Sequence, residues 1–176
     1  MGIFDKMKGT KGTGNRAPFL ADVEGDSLLV VKSVRLSENR KGQPFVKAEF
    51  RRVAGKGEAA DHVGRDCAYL YFPQHAKYQE SDDARAKAMF NAIAGVPADD
   101  VDTTDGAWVE AATEGEGTAH AGALVFARVE KNDNGFGKAF FEMIDGGSDA
   151  LDASHHLTSE AAEFFRGEGW SMTVPG

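Results

Sequence analysis

A long β-hairpin is predicted near the start of the chain by the pattern of apolar and polar residues. Ser27–Ser37 is rich in β-branched and aliphatic residues, and in Phe45–Val53 apolar and charged side chains alternate. The polar, glycine-containing segment Glu38–Gln43 lies between them and predicts the turn. Pro44 suits the first position of a strand, which need not donate a hydrogen bond to the sheet. We expect the rest of the chain to pack around this hairpin.

Three further strands and two helices are predicted after the hairpin. Ser81 is a suitable N-cap for the first helix, and Gly95 is a suitable stop. The last two strands flank Asn132–Phe136, a turn rich in residues that tolerate positive φ. The pattern therefore predicts a mainly β fold of five strands, with a helix between the third and fourth strands and a short helix near the end. The further segments are the strands Arg65–Pro73, Gly122–Lys131 and Gly137–Ile144 and the helices Ser81–Ala94 and Ser159–Phe165.

The chain of 176 residues predicts one domain with additions at both ends. Residues 1–18 contain four glycines and four cations, which is typical of a flexible basic arm. Residues 19–146 hold the five predicted strands and the first helix. Residues 147–176 are expected to form a loop, a short helix and a tail.

Charge is distributed unevenly along the chain. The net charge is −8, but residues 1–53 hold eleven Lys and Arg against six Asp and Glu. Residues 54–120 have a balance of −8 and residues 121–176 a balance of −5. An acidic protein with one basic region can bind a polyanion without binding every polyanion indiscriminately.

The sequence contains no recognisable catalytic or metal site. The single Cys67 excludes an internal disulfide and a cysteine-based zinc site. His155 and His156 are adjacent, so they point apart on a regular element, and no Gly-x-Ser-x-Gly nucleophile motif is present. We therefore expect a protein that is not an enzyme and that has no cofactor and no small-molecule substrate.

Membrane insertion and secretion are not predicted either. No apolar run approaches the length of a membrane span, and Met1–Pro18 lacks the apolar core of a signal peptide. The expectation is a soluble cytoplasmic protein with no membrane partner.

Two parts of the predicted sheet allow two interpretations each. From Lys32 to Arg52 there are seven basic residues against two acidic ones, which fits either a solvated face or a surface for a phosphate backbone and its bases. Tyr69 and Tyr71 alternate with apolar residues in the third strand. They fit either the rim of a core, with hydrated hydroxyls, or a platform on which bases stack.

The element order and three local segments together resemble a known family. Three strands, a helix and two strands is the order of the OB-fold, a small Greek-key barrel. The segment Arg40–Phe50 resembles the first hairpin of phage-encoded single-stranded DNA-binding proteins, in which a charged residue, glycine and an aromatic precede a strand with a central Glu-Phe pair. The helix before Gly95 and the hairpin turn Asp133–Lys138 resemble the later part of the same proteins. The resemblance spans roughly Phe19–Ile144.

The resemblance implies a non-catalytic protein on an OB-fold-like five-stranded barrel, which coats single-stranded DNA during phage replication or recombination in the host cytoplasm. Its partners would be single-stranded DNA and, in addition, other copies of itself or replication proteins. The cations would neutralise phosphates, and each aromatic would stack on a base for about 1–3 kcal/mol. The binding residues implied by the resemblance are Lys32, Arg35, Phe45, Lys47, Arg51, Tyr69, Tyr71, Lys138 and Phe140.

An alternative is a virion structural or assembly protein that uses the same barrel as a scaffold, because a fold does not fix a function. The acidic net charge favours it. The segment Ser171–Gly176 also differs from the acidic tail common in the DNA-binding family, so either the acidic Asp99–Asp105 region takes that role or the protein is not a replication protein. Exposure of Phe45, Tyr69 and Tyr71 on one concave basic face would favour DNA binding. Burial of these rings, with an extended arm, would favour assembly.

Overall fold

The computed structural model describes residues 18–74 and 78–174, and five strands in this part form one antiparallel sheet. The strand order is β3-β2-β1-β4-β5, so three consecutive strands form a meander and β4 returns beside β1 in Greek-key order. The predicted arm lies outside the described residues, apart from Pro18. The strands are β1 (Gly25–Glu38), β2 (Pro44–Lys56), β3 (Asp66–Tyr71), β4 (Leu124–Lys131) and β5 (Gly137–Met143), and the helices are α1 (Gln79–Ala94), α2 (Gly106–Ala112) and α3 (Ser159–Gly167).

The edges of the sheet, β3 and β5, are bridged by a short segment of chain rather than by hydrogen bonds between the two strands. We call this segment, residues 18–22, the strap. Pro18 O accepts a hydrogen bond from Ala68 N of β3 at 3.2 Å. On the other side, a Cβ atom added to Gly137 of β5 would lie 1.8 Å from Ala21 O, so only glycine permits this approach.

The mainly β class is therefore confirmed, together with the five strands and the helix between β3 and β4. The expectation of a barrel needs one correction, because no hydrogen-bonded ladder joins β3 to β5. Side-chain packing spans the gap instead, since the ring of Tyr69 on β3 meets the ring of Phe141 on β5 edge to face at 5.2 Å.

One face of the sheet, the inner face, packs against α1 and forms the main core. Phe50 of β2, Val31 of β1 and Phe141 of β5 are almost completely buried there. Met89 and Phe90 of α1 belong to the same cluster. The apolar residues of α1 recur at helical spacing and therefore form a core-facing stripe.

The opposite face, the outer face, is covered at one end by the C-terminal part of the chain. Trp170 packs edge to face on Phe126 of β4 at 6.0 Å and on Phe165 of α3 at 6.4 Å. Leu28 and Val30 of β1 are buried in this second cluster. The remaining part of the outer face, on β1, β2 and β3, is left open for a site.

The helix boundaries differ from the sequence prediction in two places. α1 begins at Gln79 after Tyr78, so Ser81 is not its N-cap, whereas Gly95 ends the helix in the left-handed conformation as predicted. α2 was not predicted. Its N-cap is Asp105, whose side chain accepts a hydrogen bond from Trp108 N at 2.9 Å. Among the described residues, no helix has both the length and the apolar character needed to cross a membrane.

Candidate functional site

Four cations and one aromatic ring lie along the open part of the outer face. Val46, Ala48 and Phe50 are buried in the inner core, so the residues between them in β2 project outwards. The register aligns Arg35 of β1 directly with Lys47 of β2. This surface, which we call the outer basic face, consists of Lys32, Arg35, Phe45, Lys47 and Arg51.

Two carboxylates accompany the cations of this face. Glu49 Oε1 lies 3.1 Å from Lys47 Nζ and 3.6 Å from Arg35 Nη2. Asp66 Oδ2 lies 2.6 Å from Lys32 Nζ. Ion pairs between exposed side chains contribute at most about 1 kcal/mol, so a phosphate can replace the carboxylates at small cost. With four cations and two acids, the face keeps a net positive charge.

A groove adjoins the outer basic face at the free edge of β3. It has a volume of about 640 Å³ and lies between the turn of the first hairpin, which contributes Asn39 and Gln43, and the turn of the second, which contributes Gly135 and Phe136. We call it the interhairpin groove. Five aromatic residues line it, together with charged residues of both signs. The aromatic and charged residues that line it are Phe19, Asp22, Tyr69, Tyr71, Phe72, Asp82, Arg85, Phe136 and Lys138.

The groove and the face are continuous through β3. Leu70 pairs with Lys47 and lines the groove, so it projects to the same side of the sheet as the cations. Phe72 follows by strand alternation, and its ring contacts that of Phe45 at 5.3 Å between centroids. A chain bound along β2 could therefore contact cations and a wall of aromatic rings without leaving the surface.

Tyr69 and Tyr71 do not share a face with the cations, so the exposure of Phe45, Tyr69 and Tyr71 on one basic face, which would favour DNA binding, is not observed. Tyr71 pairs with Val46 and Tyr69 with Ala48, so both rings belong to the inner face. Tyr71 packs edge to face on Phe90 of α1 at 6.4 Å. The core-rim interpretation therefore describes their packing, although both side chains also line the interhairpin groove.

The ionisation of both tyrosines reflects this packing. Burial raises the pKa of Tyr69 to about 12. The pKa of Tyr71 is also raised, first by burial and then by the hydrogen bond that its hydroxyl donates to Asp83. Both phenols are therefore neutral at physiological pH, and neither repels a phosphate.

The last two predicted site residues lie on β5, at the far end of the strand order. Lys138 and Phe140 alternate with the buried Ala139 and Phe141, so they project to the outer side of β5. Lys138 reaches the interhairpin groove. Phe140 instead lines a separate shallow cleft with Phe126. The nine predicted residues thus divide into the outer basic face, three residues in the groove, and Phe140, which belongs to neither.

Among the aromatic and cationic residues of the groove, sequence reasoning missed four: Phe19, Phe72, Arg85 and Phe136. Phe136 is 71% exposed at the tip of a hairpin, and an exposed aromatic in a glycine-containing turn is a signal that could have identified it. Arg85 could not be found in this way, because its ion pair with Asp82 on α1 resembles any helical surface pair. Only the packing of α1 beside β3 brings it to the groove.

Buried polar groups near this surface are not part of it. Arg52 is completely buried; its Nε donates to Ser27 Oγ at 2.8 Å, and its two terminal nitrogens have no acceptor among the described residues. Burial lowers the pKa of Arg52 and raises that of Cys67 to about 11. Arg52, one of the seven basic residues of the hairpin sequence, therefore contributes no charge to the outer basic face.

In the part of the chain that the structure describes, no three His, Cys, Asp or Glu side chains lie close enough together to hold a metal ion. Comparison of the chain with protein-family models gave no match, and neither did comparison with curated proteins.

Proposed function

We propose that the protein binds single-stranded DNA without catalysing a reaction, with the phosphate backbone on the outer basic face and bases in the interhairpin groove. The observation that carries the proposal is the continuity of the two surfaces through Leu70, Phe72 and Phe45. The resemblance to phage single-stranded DNA-binding proteins supports a coating role in phage replication or recombination.

The chemistry of the two surfaces supports a single strand over a duplex. Cations that neutralise phosphates give affinity with no dependence on sequence. Aromatic rings stack only on bases that are free of their partners, at about 1–3 kcal/mol for each base. The groove lies beside the cations, so one strand can use both, whereas a duplex presents phosphates but keeps its bases stacked inside.

Two single substitutions test where the DNA strand binds. We expect Lys47→Ala and Phe45→Ala each to weaken binding of a labelled oligo-dT, measured by fluorescence anisotropy. The matched control is Lys131→Ala, because Lys131 is also a strand lysine that faces a glutamate, Glu58, at 4.0 Å, but it lies outside both surfaces. Equal affinities for all three folded variants would contradict the proposed surface.

A second candidate function, a structural or assembly role, is favoured by exposed phenylalanines away from the outer basic face. Phe164 of α3 is 63% exposed and Phe140 of β5 is 41% exposed. Exposed apolar side chains mark a contact between subunits where they form a contiguous patch, and these two rings are candidates for such a patch. Sedimentation without DNA tests the assembly role, because an assembly protein forms large species on its own. A titration with oligo-dT tests the proposed DNA binding, which should reach saturation.

A further inference from the structure

A smaller cleft lies where the outer basic face meets the C-terminal part of the chain. Its volume is about 260 Å³, and Val30 and Val31 of β1 form part of its wall. Lys32 and Arg51 bring two positive charges to it, and no acid lines it. His155 and Ser154 approach from the C-terminal side. We call it the phosphate cleft.

The position of Lys32 comes from an irregularity in β1. The pairing with β2 shifts between Val31 and Ser33, so Lys32 has no partner residue in β2. Such bulges bend a strand and redirect a side chain. The ammonium group of Lys32 contacts Asp66 at 2.6 Å, and Asp66 is not among the residues that line the cleft.

The guanidinium of Arg51 is held in place by one hydrogen bond. Its Nη2 donates to the backbone oxygen of His155 at 2.5 Å. This is the one hydrogen bond of the Arg51 side chain to a described residue, and a guanidinium carries five N–H donors. Most of these donors are therefore available to a ligand, while the orientation of the group is already fixed.

The loop that presents His155 is itself held firmly. The Asp152 carboxylate accepts hydrogen bonds from Ser154 N at 2.8 Å and from His156 N at 3.1 Å. A β-bridge between Leu151 and Leu157 closes the base of the loop. The carbonyl that orients Arg51 is consequently part of an ordered turn rather than of a loose end.

We infer that the phosphate cleft holds a phosphodiester group of the bound strand. The inference rests on the proposed function and makes it more specific, because it assigns two cations of the outer basic face, Lys32 and Arg51, to a single phosphate. A guanidinium and an ammonium group with free donors are the usual ligands of phosphate oxygens. A volume of about 260 Å³ is smaller than the range of pockets that enclose whole small molecules, so the cleft suits one group of a larger ligand.

The cleft also lies on the proposed path of the DNA strand, further along β2. Lys47 and Arg51 are four residues apart on the same side of β2, a separation of about 13 Å along the strand. A single strand that lies on Lys47 beside the groove therefore reaches the cleft by continuing along β2. The C-terminal loop Asp152–His156 then forms the end of the binding surface.

The test is the salt dependence of oligo-dT binding by Arg51→Ala and Lys32→Ala. Loss of one phosphate contact on a single strand lowers the slope of log affinity against log salt by about 0.7. When salt rises from about 50 to about 200 mM, the affinity of each variant should therefore fall by a smaller factor than that of the original protein. The two factors should differ by about 2.5-fold. Arg166→Ala on α3 is the control, since Arg166 is exposed but lines neither the interhairpin groove, nor the shallow cleft of Phe126 and Phe140, nor the phosphate cleft.

The outcomes separate the two proposals. If the unsubstituted protein binds no oligo-dT, the proposed function fails and the cleft inference fails with it. If it binds, but Arg51→Ala and Lys32→Ala keep its salt slope while their thermal unfolding midpoints are unchanged, only the cleft inference is overturned. An oligonucleotide with a 5′-phosphate should bind no better than one with a 5′-hydroxyl. A preference for the 5′-phosphate that Arg51→Ala abolishes would assign the cleft to a terminal phosphate and contradict the inference.

Discussion

The ammonium group of Lys47 lies 3.1 Å from a carboxylate oxygen of Glu49, on the same strand and the same face of the sheet. Arg35 of the neighbouring strand lies 3.6 Å from the same oxygen. One acid therefore partly neutralises two cations of the outer basic face. If this face binds phosphate, Glu49 competes with the ligand.

Glu49→Gln should consequently tighten the binding of oligo-dT. The substitution removes a negative charge from the path of the strand and leaves Lys47 and Arg35 without their partner. Since exposed ion pairs contribute at most about 1 kcal/mol, the gain should be at most about fivefold in affinity. Anisotropy titrations at low salt measure it. The control is Glu110→Gln on α2, an exposed acid that lines none of the clefts, and a loss of affinity in Glu49→Gln would contradict the proposed strand path.

Gly137→Ala should destabilise the protein at the contact between β5 and the strap. Its Cβ would lie 1.8 Å from Ala21 O, so the strap must move away. Overpacking of this kind costs about 1–3 kcal/mol in the free energy of unfolding, which urea denaturation measures. Gly106→Ala is the comparison, because a Cβ there meets no atom within 4 Å and φ is not positive. That variant should be neutral or slightly stabilised, and equal destabilisation of both would contradict the role of the strap.

Arg52→Met should raise the free energy of unfolding. The substitution keeps most of the volume and removes a buried guanidinium whose two terminal nitrogens have no acceptor among the described residues. The loss of two unsatisfied terminal nitrogens should outweigh the one hydrogen bond that Ser27 Oγ loses, because an unsatisfied buried polar group costs about 1–3 kcal/mol and a charged one costs more. Arg65→Met, at an exposed arginine before β3, should change stability little. Marked destabilisation of Arg52→Met would show that the guanidinium has stabilising partners.

Stability should fall at alkaline pH. Burial raises the pKa of Cys67 from 9.0 to about 11 and that of Tyr69 from 10.0 to about 12. The folded chain therefore keeps protons that the unfolded chain releases, so the stabilisation is complete below pH 9 and is lost as pH rises through the folded pKa values. Urea denaturation across this range measures the fall. In Cys67→Ala the fall in the free energy of unfolding should be smaller in the lower part of this pH range, where Cys67 titrates. A pH-independent free energy of unfolding would contradict the burial of both groups.

The hairpins and α1 were predictable because their signals are local. Strand alternation in β2, the polar turn around Gly42 and the stop at Gly95 each depend on a few neighbouring residues. The same alternation predicts that Phe45, Lys47 and Arg51 of β2 share a face. Lys32 and Arg35 of β1 are three residues apart and share a side only because the pairing with β2 shifts between Val31 and Ser33.

The placement of Tyr69 and Tyr71 was not predictable, because it depends on the register between β2 and β3. Alternation shows that the two tyrosines share a face, but only the pairing of Tyr71 with Val46 shows that this is the inner face. The interhairpin groove depends on contacts still more distant in sequence, between the strap, β3, α1 and the second hairpin turn. The phosphate cleft likewise joins Arg51 to His155, which lie 104 residues apart.

The most direct test of the proposed function is an anisotropy titration of labelled oligo-dT with the unsubstituted protein at low and moderate salt, with a duplex of equal length as the control. We expect saturable single-strand binding that weakens steeply with salt and exceeds binding to the duplex. Absence of binding at low salt, or equal affinity for the duplex, would contradict the account and leave the outer basic face as a solvated surface of an assembly protein.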